Sequence, residues 1–201
     1  SLYIPEHTHI PTCRITPPPT GEPELAEEYR RTLDPFVALG AAAAVTSRIK
    51  LGTGICLVAQ RDPIVLAKEV ATLDLISNGR FVFGIGFGWN REEMAQHGVS
   101  CGERRDLVRE KMLAMRALWT RELVTFAGKH HRITDAGLNP LPVQRPIPVW
   151  MGGESEVVQR RMARVADGWM PHFRPGAPAQ AIVDRLHSMI REAGRDPKAF
   201  G

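Results

Sequence analysis

The chain has 201 residues, 43% of them hydrophobic and 24% charged, which suits a globular protein with one sizeable core. Its net charge of +4 is spread along the chain; Arg104-Arg105 and Arg160-Arg161 stand beside acidic residues in helical patterns, so they read as solvated faces and not as a nucleic-acid stripe. Cys13, Cys56 and Cys101 are odd in number and far apart, no apolar run nears the ~20 residues of a membrane span, and no signal-peptide pattern opens the chain, so a cytoplasmic protein with reduced thiols is expected.

In chain order, a first strand is expected at residues 1–4, followed at once by Glu6-His7-Thr8-His9. Residues 8–32 form a long connection rich in proline (Pro11, Pro17, Pro18, Pro19 and Pro23). Asp34-Pro35 then opens a helix, with Asp as N-cap and Pro at the first helical position. A strand over 49–55 leads to Asp62-Pro63, which repeats that opening; Leu66, Val70 and Leu73 stripe the helix, and Asn78-Gly79 ends it.

The next strand, 81–86, is almost wholly apolar, as expected of a parallel strand covered on both faces. Asn90 with Glu93 three residues on resembles a capping box. Val108, Met112, Met115 and Trp119 stripe a long helix. The connection 120–147 includes a plausible hairpin, Leu123–Phe126 and His131–Thr134 around Gly128, where His130-His131 reads as exposed surface. Strands at 148–152 and 168–170 bracket a helix capped by Ser155 and striped by Val158, Met162 and Val165. Ile182, Leu186 and Met189 stripe the last helix. Strands alternating with helices in this way mean a parallel sheet with right-handed crossovers.

Two places carry chemistry. The strand ending in Gly152-Gly153 and running into a helix puts bare backbone N–H groups at the positive end of a helix dipole, which suits a phosphate; a tight turn that merely needs glycine is the alternative. His7, just past a strand, reads as a cofactor-contacting or proton-donating imidazole, or as one that satisfies a loop carbonyl. His7 and His9 could form half of a metal site, but no third ligand accompanies them, and no metal is expected. Gly84-Ile85-Gly86-Phe87-Gly88-Trp89 misses the dinucleotide fingerprint because Trp89 stands where the third glycine belongs; Gly86 and Gly88 instead suit a close approach of cofactor or backbone to the strand end.

The motifs Tyr3-Ile4-Pro5-Glu6-His7-Thr8-His9-Ile10-Pro11, Leu51-Gly52-Thr53-Gly54-Ile55 and Arg61-Asp62-Pro63 resemble the bacterial-luciferase-like oxidoreductases. So do Ser77-Asn78-Gly79-Arg80-Phe81, Gly86-Phe87-Gly88-Trp89-Asn90 and the Gly152-Gly153 turn. The order of these motifs is similar to the branch that uses the deazaflavin coenzyme F420, with FMN as the alternative cofactor.

The resemblance implies a (β/α)8 TIM barrel as a single domain over 1–201, of which about five of eight strands fall in this chain, the first βα unit and the last strands being absent. It implies a cis peptide at Gly54-Ile55 behind the coenzyme ring, a phosphate held by Gly152, Gly153 and Ser155, and Glu6 and His7 as the acid–histidine pair touching ring and substrate. It also implies a small-molecule substrate and a homodimer. Sugar-phosphate dehydrogenases of that branch carry a glutamate after the fourth-strand glycines; Trp89 stands there in this chain, so neither their proton acceptor nor their substrate is carried over. A two-component FMN monooxygenase and a non-catalytic flavin-binding protein are the alternatives.

Overall fold

The computed structural model describes residues 1–19, 21–22, 24–171 and 179–201; Thr20 and Pro23, in the proline-rich connection, lie outside the described residues. Strand β1 is Leu2–Ile4 and helix α1 is Pro35–Val45. Asp34 caps α1 by accepting the amides of Phe36 and Val37, both at 3.0 Å. The single strand expected over 49–55 is two pieces, β2 (Leu51–Thr53) and β3 (Cys56–Leu57), separated at Gly54-Ile55, which is a cis peptide bond. Helix α2 spans Pro63–Ile76, with Asp62 accepting the amides of Ile64 and Val65.

Strand β4 is Phe81–Gly86, followed by the short α3 (Arg91–Gln96) and the long α4 (Arg104–Thr120). The expected hairpin is present as antiparallel β5 (Val124–Ala127) and β6 (Arg132–Ala136). Then come β7 (Val149–Gly152), α5 (Glu156–Val165), β8 (Gly168–Met170) and α6 (Ala179–Glu192).

The main sheet runs β1-β2-β4-β7-β8, all parallel, with β3 added along β4. These are the five principal strands that the sequence implied, and they form the arc of an incomplete luciferase-like barrel that does not close among the described residues. At the β8 edge, Gly201 accepts from the amide of Trp169 at 3.0 Å and donates to the carbonyl of Asp167 at 2.9 Å, so backbone pairing continues beyond β8.

Alternation along the strands gives the sheet two faces. Phe81, Phe83, Val149 and Met151 are buried against the helices; Phe83 meets Trp119 of α4 edge-on with centroids 5.9 Å apart, and Phe81 meets Phe36 of α1. The opposite, concave face carries Tyr3, Gly52, Gly84, Gly86, Trp150, Gly152, Gly168 and Met170. There the large side chains lie on glycines. A Cβ on Gly52 would stand 2.5 Å from the Tyr3 ring, one on Gly84 would run into the Thr53 carbonyl and stand 2.6 Å from the Met170 sulfur, and one on Gly168 would enter the Trp150 indole. Tyr3 and Trp150 stack with centroids 6.4 Å apart and planes at 27°, although three strand spacings, about 14 Å in a flat sheet, separate their strands. The sheet curls, and the glycines let it.

The Ser77-Asn78-Gly79-Arg80 motif has a local reason. Asn78 (φ 53°) and Gly79 (φ 72°) turn the chain in the left-handed region after α2, and Arg80 then donates to the carbonyls of Ser77, Ile49, Thr46 and Ala43. One guanidinium thereby ties the ends of α1 and α2 beneath the sheet. Among the described residues no helix is long and apolar enough to cross a membrane.

Gly84→Ala should cost about 2 kcal/mol or more, because the backbone oxygen of Thr53 cannot move aside as a flexible side chain could. Gly40→Ala, in the middle of α1 with nothing within 4 Å of the added carbon, should stabilise by about 0.5–1 kcal/mol. Urea midpoints of the two variants check both the size and the opposite signs.

Candidate functional site

The loop after β1 sends consecutive residues in opposite directions. Glu6 turns toward the helices and is buried: its Oε2 accepts the amide of Leu57 at 2.6 Å and its Oε1 accepts Nε of Arg61 at 2.5 Å. Arg61 also reaches Asp34 at 2.8 Å and Glu69 at 3.0 Å, and lies over the Phe36 ring at 4.8 Å. Burial is the largest single influence and works against the guanidinium charge, but the attraction of Glu6 and Cys56 and the hydrogen bonds to Glu6 and Asp34 together outweigh it and hold the pKa above the ordinary value. Behind it, the Lys111 ammonium donates to the carbonyls of Ala59 and Arg61 at 2.8 and 2.6 Å. Both oxygens of Glu6 are thus engaged in fixing the 57–61 segment, and neither meets His7.

His7 meets a different carboxylate. Its Nδ1 lies 2.8 Å from Oε2 of Glu93 on α3, with the two side chains 8% and 1% exposed. Thr32 clamps the His7 backbone, its hydroxyl donating to the His7 carbonyl at 2.8 Å. Tyr29 and Trp89 pack on the imidazole at centroid distances of 5.5 and 5.8 Å, and on each other edge-on at 6.1 Å. Asn90 does cap α3 through the amide of Glu93 at 3.2 Å, but the Glu93 side chain serves His7. An ionised Glu93 takes the Nδ1 proton as a hydrogen bond and leaves Nε2, unpartnered among the described residues, to accept or give a proton. The reading of Asn90 and Glu93 as a capping pair missed this, because the partner lies 86 residues away and no local pattern marks it.

The glycines named from sequence gather at the carboxyl ends of β2, β4 and β7. What approaches Gly86 closely is the side chain of Ile55, whose Cδ1 would collide with a Cβ there and would stand 3.2 Å from one on Gly152. Gly54 and Ile55 thus turn an apolar side chain across the strand ends. Gly88 (φ 79°) makes the turn above Met94. Gly153 sits at φ 110° against Val158, and its carbonyl accepts Nε1 of Trp169 at 2.9 Å.

Ser155 stands at the N-cap of α5 as expected, yet its hydroxyl makes no capping bond to the first amides of α5. That cradle fits a phosphate: it offers exposed N–H donors at a helix start. Among the described residues no three His, Cys, Asp or Glu are arranged to hold a metal.

One surface expectation is corrected. His131 is half-buried, with Nδ1 2.9 Å from Glu110 of α4, and Glu110 also accepts the amides of Lys129, His130 and His131. Burial alone would raise the Glu110 pKa; these hydrogen bonds prevail and pull it down to about 2. The hairpin is therefore pinned to α4 by one carboxylate.

A curled parallel sheet with a carboxylate-held imidazole, glycine-lined strand ends and an open helix start at one rim defines a barrel-type α/β scaffold. The chain belongs to the luciferase-like monooxygenase family, whose profile matches residues 4–201. It is 45% identical over 203 residues to an uncharacterised protein of Mycobacterium tuberculosis, covering 98% of this chain and 70% of that one. It is 31% identical over 156 residues to an F420-dependent glucose-6-phosphate dehydrogenase of Amycolatopsis mediterranei, covering 76% of this chain and 46% of that enzyme. The crystal structure of a monooxygenase from Streptomyces bottropensis superimposes with a TM-score of 0.72 at 32% identity, covering 82% of this chain and 51% of that one. The chain spans about half the length of the latter two.

Glu6→Gln should act on stability. Removing the charge leaves Arg61 half-buried with a weakened partner, a loss of about 3 kcal/mol by analogy with other broken buried pairs, while the His7–Glu93 contact is untouched. Thermal unfolding reads the loss, and a histidine NMR spectrum with an unchanged His7 signal in the folded protein confirms where the effect lies.

Proposed function

We propose that this chain forms the coenzyme- and substrate-binding part of an oxidoreductase that passes a hydride between coenzyme F420 and a small organic molecule. The observation that carries the reading is a convergence. A carboxylate-held imidazole after β1, the apolar side chain of Ile55 across the ends of β4 and β7, and the start of α5 after β7 all lie at the carboxyl ends of one curled parallel sheet.

In this reading the amides at the start of α5, with Gly152, Gly153 and Ser155, hold the coenzyme phosphate. Gly54 and Ile55, the latter seated on Gly86 and beside Gly152, would back its ring, and Gly88 would turn the chain away above Met94. The coenzyme supplies the carbon that accepts or releases hydride. The protein supplies position and a proton: His7 Nε2 takes or returns the proton that accompanies hydride transfer, while Glu93 holds Nδ1–H and favours the imidazolium that forms. Glu6, assigned with His7 from sequence, is then a positioning residue acting through Arg61 and the 57–61 segment. Trp89 and Tyr29 shield one side of His7 from water.

The likeness to a monooxygenase supports the second reading, an FMN-dependent enzyme that takes its reduced flavin from a separate reductase. We also read the protein as a homodimer: α1 is apolar all round, and with α2 it exposes Val37, Val45, Val65 and Ile76 on one outer surface.

Fluorescence titration with F420 and with FMN decides between the coenzymes; micromolar F420 binding beside weak FMN binding is the expected result, and the reverse would sink the leading reading. Ser155→Asp tests the phosphate cradle. Aspartate is as good an N-cap as serine, so folding should hold, whereas its charge should weaken coenzyme binding by roughly 10-fold or more. Gly153 is the worse choice, since its φ of 110° would strain any side chain. His7→Ala should lower turnover by ~10²–10⁴-fold with coenzyme affinity nearly unchanged, measured as single-turnover rate and dissociation constant on one preparation.

A further inference from the structure

Beside His7 lies a cleft of about 340 Å³ whose walls include Glu6, Gln60, Arg61 and His97 as well as His7 itself, and neither Tyr29 nor Trp89. Glu93 and His97 are one helical turn apart, at i and i+4 on α3 and its C-cap, so their side chains share a face. Each carries an atom that is buried yet takes no protein hydrogen bond: Oε1 of Glu93, whose other oxygen holds His7, and Nε2 of His97. Both amide atoms of Gln60, on the facing wall, are in the same state. His97 and Gln60 line the cleft, whereas Glu93 is fully buried. Buried polar atoms are rarely left without a partner, so the orphaned Oε1 of Glu93 and Nε2 of His97, on one helix face, point to a buried water between them. On its outer side His97 packs against His9 with ring centroids 5.3 Å apart, and the Nε2 of His9 bonds the Gln96 side chain at the exposed rim at 2.6 Å.

We propose that His97 is the proton relay of the site, carrying the proton of the His7–Glu93 pair through a buried water to solvent at the His9 rim. This rests on the reading of His7 as the group that moves a proton at the reaction centre. The step involves protons alone. A proton taken by His7 at Nε2 makes the imidazolium; the Nδ1 proton passes to Oε2 of Glu93; the carboxyl group turns and gives it to the buried water, which gives one to Nε2 of His97; and His97 releases a proton outward from Nδ1. One proton enters and one leaves; Glu93 and the water end as they began, while both imidazoles end as the other tautomer and return by turning about their Cβ–Cγ bonds.

Burial, and then the neighbouring His9, depress the His97 pKa, while Glu93 and Glu6 pull it upward less strongly and Arg61 adds to the depression. A neutral ring with one N–H and one lone pair is the form that relays.

The test needs neither coenzyme nor substrate. In protein labelled with nitrogen-15 histidine, the Nδ1 proton of His7 against Glu93 gives a downfield NMR signal whose exchange with water can be timed. In the parent at neutral pH exchange is expected to be fast, with the signal broadened. His97→Gln, which keeps a polar side chain of similar length, should sharpen the signal and slow exchange at least ~10-fold, and added imidazole should restore fast exchange. Equal exchange in parent and variant overturns the relay, as does slow exchange in the variant that imidazole does not relieve. A thermal midpoint within a few degrees of the parent separates this from unfolding, and His97→Asn serves if the Gln variant is unstable. Coenzyme titration of the same samples reports on the proposed function independently, so the two can fail separately.

Discussion

The absence of a Cβ at four positions of the concave face is the constraint on which the rest of the molecule depends. Gly52, Gly84, Gly86 and Gly168 are seats for Tyr3, Met170, Ile55 and Trp150. With side chains there, Tyr3 and Trp150 could not close to a stack across two intervening strands, and the sheet would lose the curvature that brings the ends of β1 and β7 to one rim. Function follows from the same seats: Ile55 can cross the strand ends only because Gly86 and Gly152 stand beneath it. Packing of this kind cannot be improved by adding volume, since interiors are already filled to crystal density.

A second organising centre lies on the convex side, where Arg61 gathers Glu6, Asp34 and Glu69 from three separate segments. Asp34 is shared: one oxygen caps α1 and the other takes the guanidinium. The pair of Asp-Pro helix openings is therefore more than capping, because one of them also locks the loop that bears Gln60 to the loop that bears His7. Lys111 fixes the carbonyls of the same loop from α4. The charges that look catalytic in sequence hold the frame, and the frame holds the imidazole.

How much of this was legible depends on range. The helix openings at Asp34-Pro35 and Asp62-Pro63, the hairpin, the five parallel strands and most of the hydrophobic stripes are read from local patterns, and the structure has them; on α5 the stripe shifts, Val165 being exposed while Gln159, Met162 and Ala163 are buried. The break of 49–55 into β2 and β3 escaped periodicity because two residues, Gly54 and Ile55, carry it; the family resemblance implied the cis bond there. The family resemblance implied Glu6 and His7 as a pair, but extended neighbours point apart, and the sequence holds no sign that Glu93 or Trp89 would come to His7. His131 was misjudged for a related reason: a hairpin tip is exposed by default, and only the tertiary approach of Glu110 buries it.

Trp89 explains why the site differs from the sugar-phosphate dehydrogenases it resembles. A glutamate at that position would bring a carboxylate to the reaction face of His7; an indole brings an apolar edge, closed further by Tyr29 from the proline-rich connection. The carboxylate need is met instead from below, by Glu93 one turn into α3. In the proposed function, the indole and phenol keep one side of His7 dry for a substrate whose reacting carbon must be kept from water, while the polar cleft that His7 shares with Gln60 and His97 takes the proton that has to leave.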